Sequence, residues 1–146
     1  MLSTFPETII SNYALNKIGT VANNIDPRTN AKRIEENLNK VNYKYLIALD
    51  IAFPKINSII RNTNVKMVVC NSYTDSVPAL FKPIFKKKVD EMLTKKGLPI
   101  PNIAFDCYDG LYVSWKVFMN IGENTVAKEV EYTPNMPAGM VLTGGT

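Results

Sequence analysis

The stretch from Asn30 to Phe53 constrains the fold more than any other part of the chain. Ala31, Ile34, Leu38, Val41, Tyr45, Ala48 and Ala52 recur at alternating steps of three and four, with polar residues filling most positions between them. That spacing places all seven on one face of an α-helix. Small side chains at Ala31, Ala48 and Ala52 would let a second helix approach closely. The pattern therefore predicts one long helix belonging to a helix pair or bundle.

A shorter helix is predicted before it. Thr4 and Glu7 have capping-box spacing, Pro6 suits a first turn, and Phe5, Ile9, Ile10, Tyr13, Ala14 and Ile18 form an apolar face. Gly19 is placed to end that helix in a left-handed conformation. Asn23, Asn24, Asp26 and Pro27 carry turn chemistry, and Thr29 or Asn30 would cap the long helix. Pro54 should bend or stop it near Phe53. Val65 to Cys70 is short and β-branched and reads as a strand. A further helix is expected from about Pro78 to Lys96, capped by Asp75 or Ser76 and closed by Gly97.

After Pro101 the period changes to two. Ile103, Phe105 and Cys107 would pair through a three-residue loop, Tyr108-Asp109-Gly110, with Leu111, Val113, Trp115, Val117 and Met119. Val126, Val130 and Tyr132 suggest a third strand. The last residues, 133–146, are rich in Pro and Gly and have no period. The fold class expected is α+β and mainly α. It comprises an N-terminal helical bundle (4–97), a C-terminal β-hairpin or small antiparallel sheet (102–132) and an extended C-terminal tail (133–146), in a single domain over 1–146.

At 146 residues, 46% hydrophobic and 21% charged, the composition is that of an ordinary folded domain. No apolar run reaches the ~20 residues needed to span a bilayer, and Glu7, Ser11 and Asn12 interrupt the N-terminus before a signal-peptide core could form. A cytosol-like compartment and no membrane partner are expected. Two cysteines and no histidine leave almost nothing to bind a transition metal, and the commonest general base is missing. No catalytic residue, metal ligand or cofactor site is assigned. Asp106, Asp109, Glu123, Glu129 and Glu131 fall on turns and outer strand rows, where charge is expected anyway.

The net charge of +4 comes mostly from lysine. Lys82, Lys86, Lys87 and Lys88 form the sharpest charge feature. They read either as a solvated helix face or as a contact for DNA phosphates or an acidic partner, without the interleaved aromatics of base readout. Trp115 reads as core or interface packing.

The first helix ends in Ala14-Leu15-Asn16-Lys17-Ile18-Gly19, and the long helix ends in Leu46-Ile47-Ala48-Leu49-Asp50-Ile51-Ala52-Phe53. This arrangement resembles the head-to-tail connector (adaptor) proteins of tailed bacteriophages. Those proteins pair a helix ending in "AL-x-x-IG" with one closing in "Leu…Pro-Trp-x-Phe-Ala". Ile51 stands at the Trp position and Asp50 at the Pro position. The resemblance covers about the first third of the chain and implies a non-enzymatic structural virion protein at the head–tail junction, assembled in the host cytoplasm. It would form a homo-oligomeric ring, commonly dodecameric, beneath the portal protein, extending the DNA channel and meeting a neighbouring tail protein. In such a ring Trp115, Met136, Met140 and Leu142 are the candidate inter-subunit contacts. A small basic module binding DNA without sequence preference is the alternative.

Overall fold

A computed structural model describes residues 5–98, 100–101, 110–128, 130–131 and 133–141. The first helix, α1 (Pro6–Lys17), ends as its glycine requires. Gly19 sits at φ +70°, with Gly19 N donating to Asn16 O and Thr20 N to Leu15 O. These two bonds satisfy carbonyls that the end of the helix leaves open. Strand β1 (Ala22–Asn24) follows.

The long helix of the sequence reading is not there. Asn30 does cap a helix, its side chain accepting from Arg33 N at 2.9 Å, but α2 spans only Ala31–Lys40. Asn42 then adopts φ +56°, and Tyr43 N donates to Leu38 O, which closes the helix as Gly19 closes α1. The rest of the apolar stripe becomes β2 (Tyr45–Leu49). A 3₁₀ turn (Asp50–Ala52) leads into α3 (Phe53–Ile59), where Pro54 occupies the first turn and lacks only an N–H that the helix would not use. Strand β3 (Met67–Asn71) is followed by a 3₁₀ turn and then α4 (Lys82–Lys95), with Pro83 in its first turn and Gly97 at φ +64° after it.

The C-terminal half departs furthest from expectation. Strand β4 covers only Tyr112–Ser114. The Ser114 side chain accepts from Val117 N at 3.2 Å and caps α5 (Trp115–Glu123), so the residues read as the second hairpin strand are mostly helical. The first hairpin strand and Tyr108-Asp109 lie outside the described residues. The described residues around Val126 and Val130 are not a strand, and Val126 is fully exposed. Within the segment read as an extended tail, β5 (Gly139–Val141) pairs in parallel with β1, Ala22 opposite Gly139 and Asn24 opposite Val141. The fold is thus α+β with two small parallel sheets, not a bundle carrying an antiparallel hairpin.

The main sheet has order β2-β3-β4, with β3 bonded on both sides. Its register sets Leu46, Val68 and Tyr112 in one row and Ala48, Cys70 and Ser114 in the next. These rows face Ile34 and Leu38 of α2 and Ile56 and Ile59 of α3 in a continuous buried cluster. Parallel strands cannot be joined by a tight turn, so each connection returns through a helix or a long excursion. Tyr112 locks one such return in place. Its ring meets Phe53 edge-on at 5.1 Å, and its hydroxyl donates to Asn57 Oδ1 at 3.1 Å. The alternate residues Leu49, Val69, Asn71 and Val113 are buried too, as expected of a parallel sheet covered on both faces.

Two expectations follow. Ala48 is buried in β2 while Tyr45 in the same strand is exposed. Ala48→Trp should therefore lower unfolding free energy by about 1–3 kcal/mol or more by overpacking, and Tyr45→Phe should change it little, in urea titrations. At Gly19 a Cβ would stand 3.2 Å from Val130 Cγ2 and 3.3 Å from the Met136 methyl. Gly19→Ala should add about 1–2 kcal/mol of left-handed strain, seen as a lower melting temperature.

Candidate functional site at the carboxyl end of the sheet

In parallel sheets the loops leaving the carboxyl ends of the strands come together, and ligand sites are commonly built there. Here that end collects Asp50 after β2, Asn71-Ser72-Tyr73 at and after β3, and Ser114 at the end of β4. Asp50, Asn71, Tyr73 and Ser114 are all buried. The Asp50 carboxylate accepts from Ile51 N at 2.8 Å, and the Ser72 hydroxyl and Tyr73 N–H offset part of the cost of its burial. Asp75 accepts from Ser72 N at 2.7 Å, and the Ser72 and Thr74 hydroxyls lie 3.1 Å apart. This is the turn chemistry of a short polar loop whose side chains bond their own backbone.

Two further elements are tied to this loop. Glu7 of α1 is buried and accepts from the Ser76 hydroxyl. Tyr73 donates to Asp90 of α4 at 2.8 Å, and Lys86 pairs with the other Asp90 oxygen at 2.7 Å. Burial pushes the Asp50 and Asp75 carboxyls above the ordinary carboxylate range, Glu7 adding to the effect at Asp75 and Asp75 to that at Asp50. Hydrogen bonds from Lys86 and then Tyr73 hold Asp90 below that range. Burial and the Asp90 carboxylate together raise the Tyr73 hydroxyl, which stays protonated as a donor.

Chemically, the cluster is an acceptor-rich clasp. Most of its oxygens are engaged in holding α1, the β3–α4 loop and α4 together, while Glu7 Oε2 and Asn71 Oδ1 have no hydrogen-bond partner among the described residues. Among the described residues no three of His, Cys, Asp or Glu come together as a metal-binding group. Apart from this cluster, a concavity of about 370 Å³ lies between α1, β1 and the start of β2, with Leu15, Ala22, Asn23, Leu38, Tyr43 and Leu46 among its walls. Asn23 donates to the Tyr43 hydroxyl at its edge.

The residues singled out from sequence are scattered over other elements. Lys82, Lys86, Lys87 and Lys88 share α4; Lys82 is half-buried, Lys86 is held by Asp90, and Lys87 and Lys88 are exposed. Trp115 opens α5, half-buried and tilted against Phe118 at 6.1 Å. Met136 is half-buried near Gly19, and Met140 is partly exposed in β5; both thus lie against their own chain. Leu142 lies outside the described residues. Sequence reasoning missed Glu7, Asp50 and the Ser72–Ser76 loop. Their signal was the run Asn71-Ser72-Tyr73-Thr74-Asp75-Ser76, polar turn formers directly after a β-branched strand.

No known protein family, curated protein or solved structure is matched by this chain.

The raised carboxyls set a pH dependence. Asp50 and Asp75 keep their protons in the fold at pH values where the unfolded chain has lost them. Their contribution to stability is complete below about pH 4 and is lost as pH rises through their folded values. Asp90 acts in the opposite sense, its contribution lost as pH falls through its lowered value. Asp50→Asn, which keeps an acceptor for Ile51 N, should gain on the native protein as pH rises from about 4 and then level off. Urea unfolding at a series of pH values reads this; parallel curves would remove Asp50 from the account.

Proposed function

We propose that this chain is an assembly subunit, acting by protein–protein contact and not by catalysis, with a second copy of itself as the first partner. The observation that carries the reading is the exposed apolar side chains of α1. Glu7 and Ser11, one turn apart, are buried against the rest of the chain, while Ile9, Ile10 and Tyr13 face outward, Tyr13 with 72% of its surface exposed. A helix that leaves such side chains in water is half of an interface. The outward face carries no charge between Glu7, which is buried, and Lys17. A neutral face can meet its own copy about a two-fold axis without like-charge repulsion, and tyrosine is among the residues enriched at such contacts.

This is the class of function that the connector resemblance implies, with its ring, portal and tail partners and a place in the virion. Of the two elements carrying that resemblance, Ala14 to Gly19 lies at the end of a helix, whereas Leu46 to Phe53 lies on β2 and the turn after it. The proposal rests on the exposed face of α1 and takes the connector role as its most specific form.

The wild-type protein should sediment as an oligomer at micromolar concentration. Ile9→Glu with Tyr13→Glu should lower its mass to that of the monomer without lowering the unfolding temperature, because both side chains are exposed. A wild-type protein that stays monomeric up to the highest soluble concentration would overturn the reading.

A further inference from the structure

Helix α4 presents a different surface. Leu93 is its one buried residue, and Val89 and Asp90 are half-buried. Along one flank Phe81, Phe85, Lys88, Met92 and Lys95 follow one another at steps of four and three, with the inner edge of Phe85 tilted against Tyr73 at 6.5 Å. Leu80, Phe81 and Ile84 are exposed by 80%, 56% and 62%. Residues 82–96 hold six lysines against two acids. Lys86 is paired with Asp90, whereas the side chains of Lys87, Lys88, Lys95 and Lys96 make no hydrogen bond or ion pair among the described residues.

Any occupant of this face must take aromatic and aliphatic side chains and neutralise lysines interleaved with them. A nucleic acid would take the lysines and leave Phe81 and Ile84 in water. A second copy would bring Lys88 and Lys95 against a face equally rich in lysine. An anionic bilayer surface meets both demands. Apolar side chains enter below the headgroups while lysine stems run up to the phosphates. No helix of the described residues is long and apolar enough to cross a membrane, so the contact would lie in the interface plane. We propose that α4, with Leu80 and Phe81 before it, docks the protein on anionic phospholipid headgroups.

Vesicle flotation of the full chain tests this, with three-to-one phosphatidylcholine–phosphatidylserine against phosphatidylcholine alone. Binding should favour the anionic vesicles at least tenfold and fall with salt. Lys88→Gln and Lys95→Gln should each weaken it about fivefold. Phe81→Asp with Ile84→Asp should weaken it tenfold or more with an unchanged circular-dichroism melt, since both residues are exposed. Ile9→Glu with Tyr13→Glu, on the neutral helix, should lower oligomeric mass while keeping the anionic preference. A wild-type protein that binds anionic vesicles but stays monomeric would thus count against the α1 reading alone. Failure to float with anionic vesicles, or equal binding to both compositions, would overturn the proposal. So would binding to duplex DNA that matches vesicle binding and survives Phe81→Asp with Ile84→Asp.

Discussion

The parallel ladder on both sides of β3 is the constraint on which the rest of the structure depends. Val68, Val69 and Cys70 take partners from β2 on one side and β4 on the other, and Val68 and Val113 are completely buried. A parallel pair admits no hairpin, so every entry to this ladder needs a long return. The return from β2 to β3 is α3, and its fit to the sheet explains the Phe53–Tyr112 ring contact and the Tyr112–Asn57 hydrogen bond. The same constraint brings three strand ends to one edge and so gathers Asp50, Asn71 and Ser114 there. The polar cluster follows from topology before any side chain is considered.

Three helix ends were legible in the sequence, because their signals are local. Gly19, Asn30 and Gly97 each mark a helix end whose hydrogen bonds run where residue type requires. Residues 41–53 misled because two periods coincide there. Tyr45, Ala48 and Ala52 extend a helical stripe, yet Leu46-Ile47-Ala48-Leu49 is also a continuous apolar run of the kind a doubly covered parallel strand needs. Asn42 decides between them. A left-handed residue at that point ends the helix, and asparagine is the residue type, after glycine, that tolerates the conformation most readily. The C-terminal error has the same origin, with Ser114 in the role of Asn42. Its side chain caps α5 in the middle of an alternating pattern, and alternation over Leu111 to Met119 cannot register a change of structure inside itself.

The polar cluster was not legible, because its members lie on five separate elements, three brought together by the parallel register and two by helix packing. Glu7 is the clearest case. From sequence it is an ordinary first-turn carboxylate; in the fold it is buried against Ser76, while Ile9, Ile10 and Tyr13, expected to form the core-facing stripe of α1, are exposed.

Exposed apolar surface is carried by both α1 and α4. The outward residues of α1 from Ile9 to Ala14 are apolar and uncharged, whereas those of α4 alternate with lysine, and Asp90 is bonded to Tyr73 and Lys86. The inner clasp thus takes Glu7 from one helix face and Asp90 from the other. What remains outside is a neutral patch on α1 and a cationic one on α4. Two such surfaces on one small domain do not compete for the same occupant. Like charge keeps copies of α4 apart, and neither patch offers the other a complementary charge. The electrostatics of the interior therefore sort the possible contacts of the exterior, leaving close self-association to the neutral helix and anionic surfaces to the basic one.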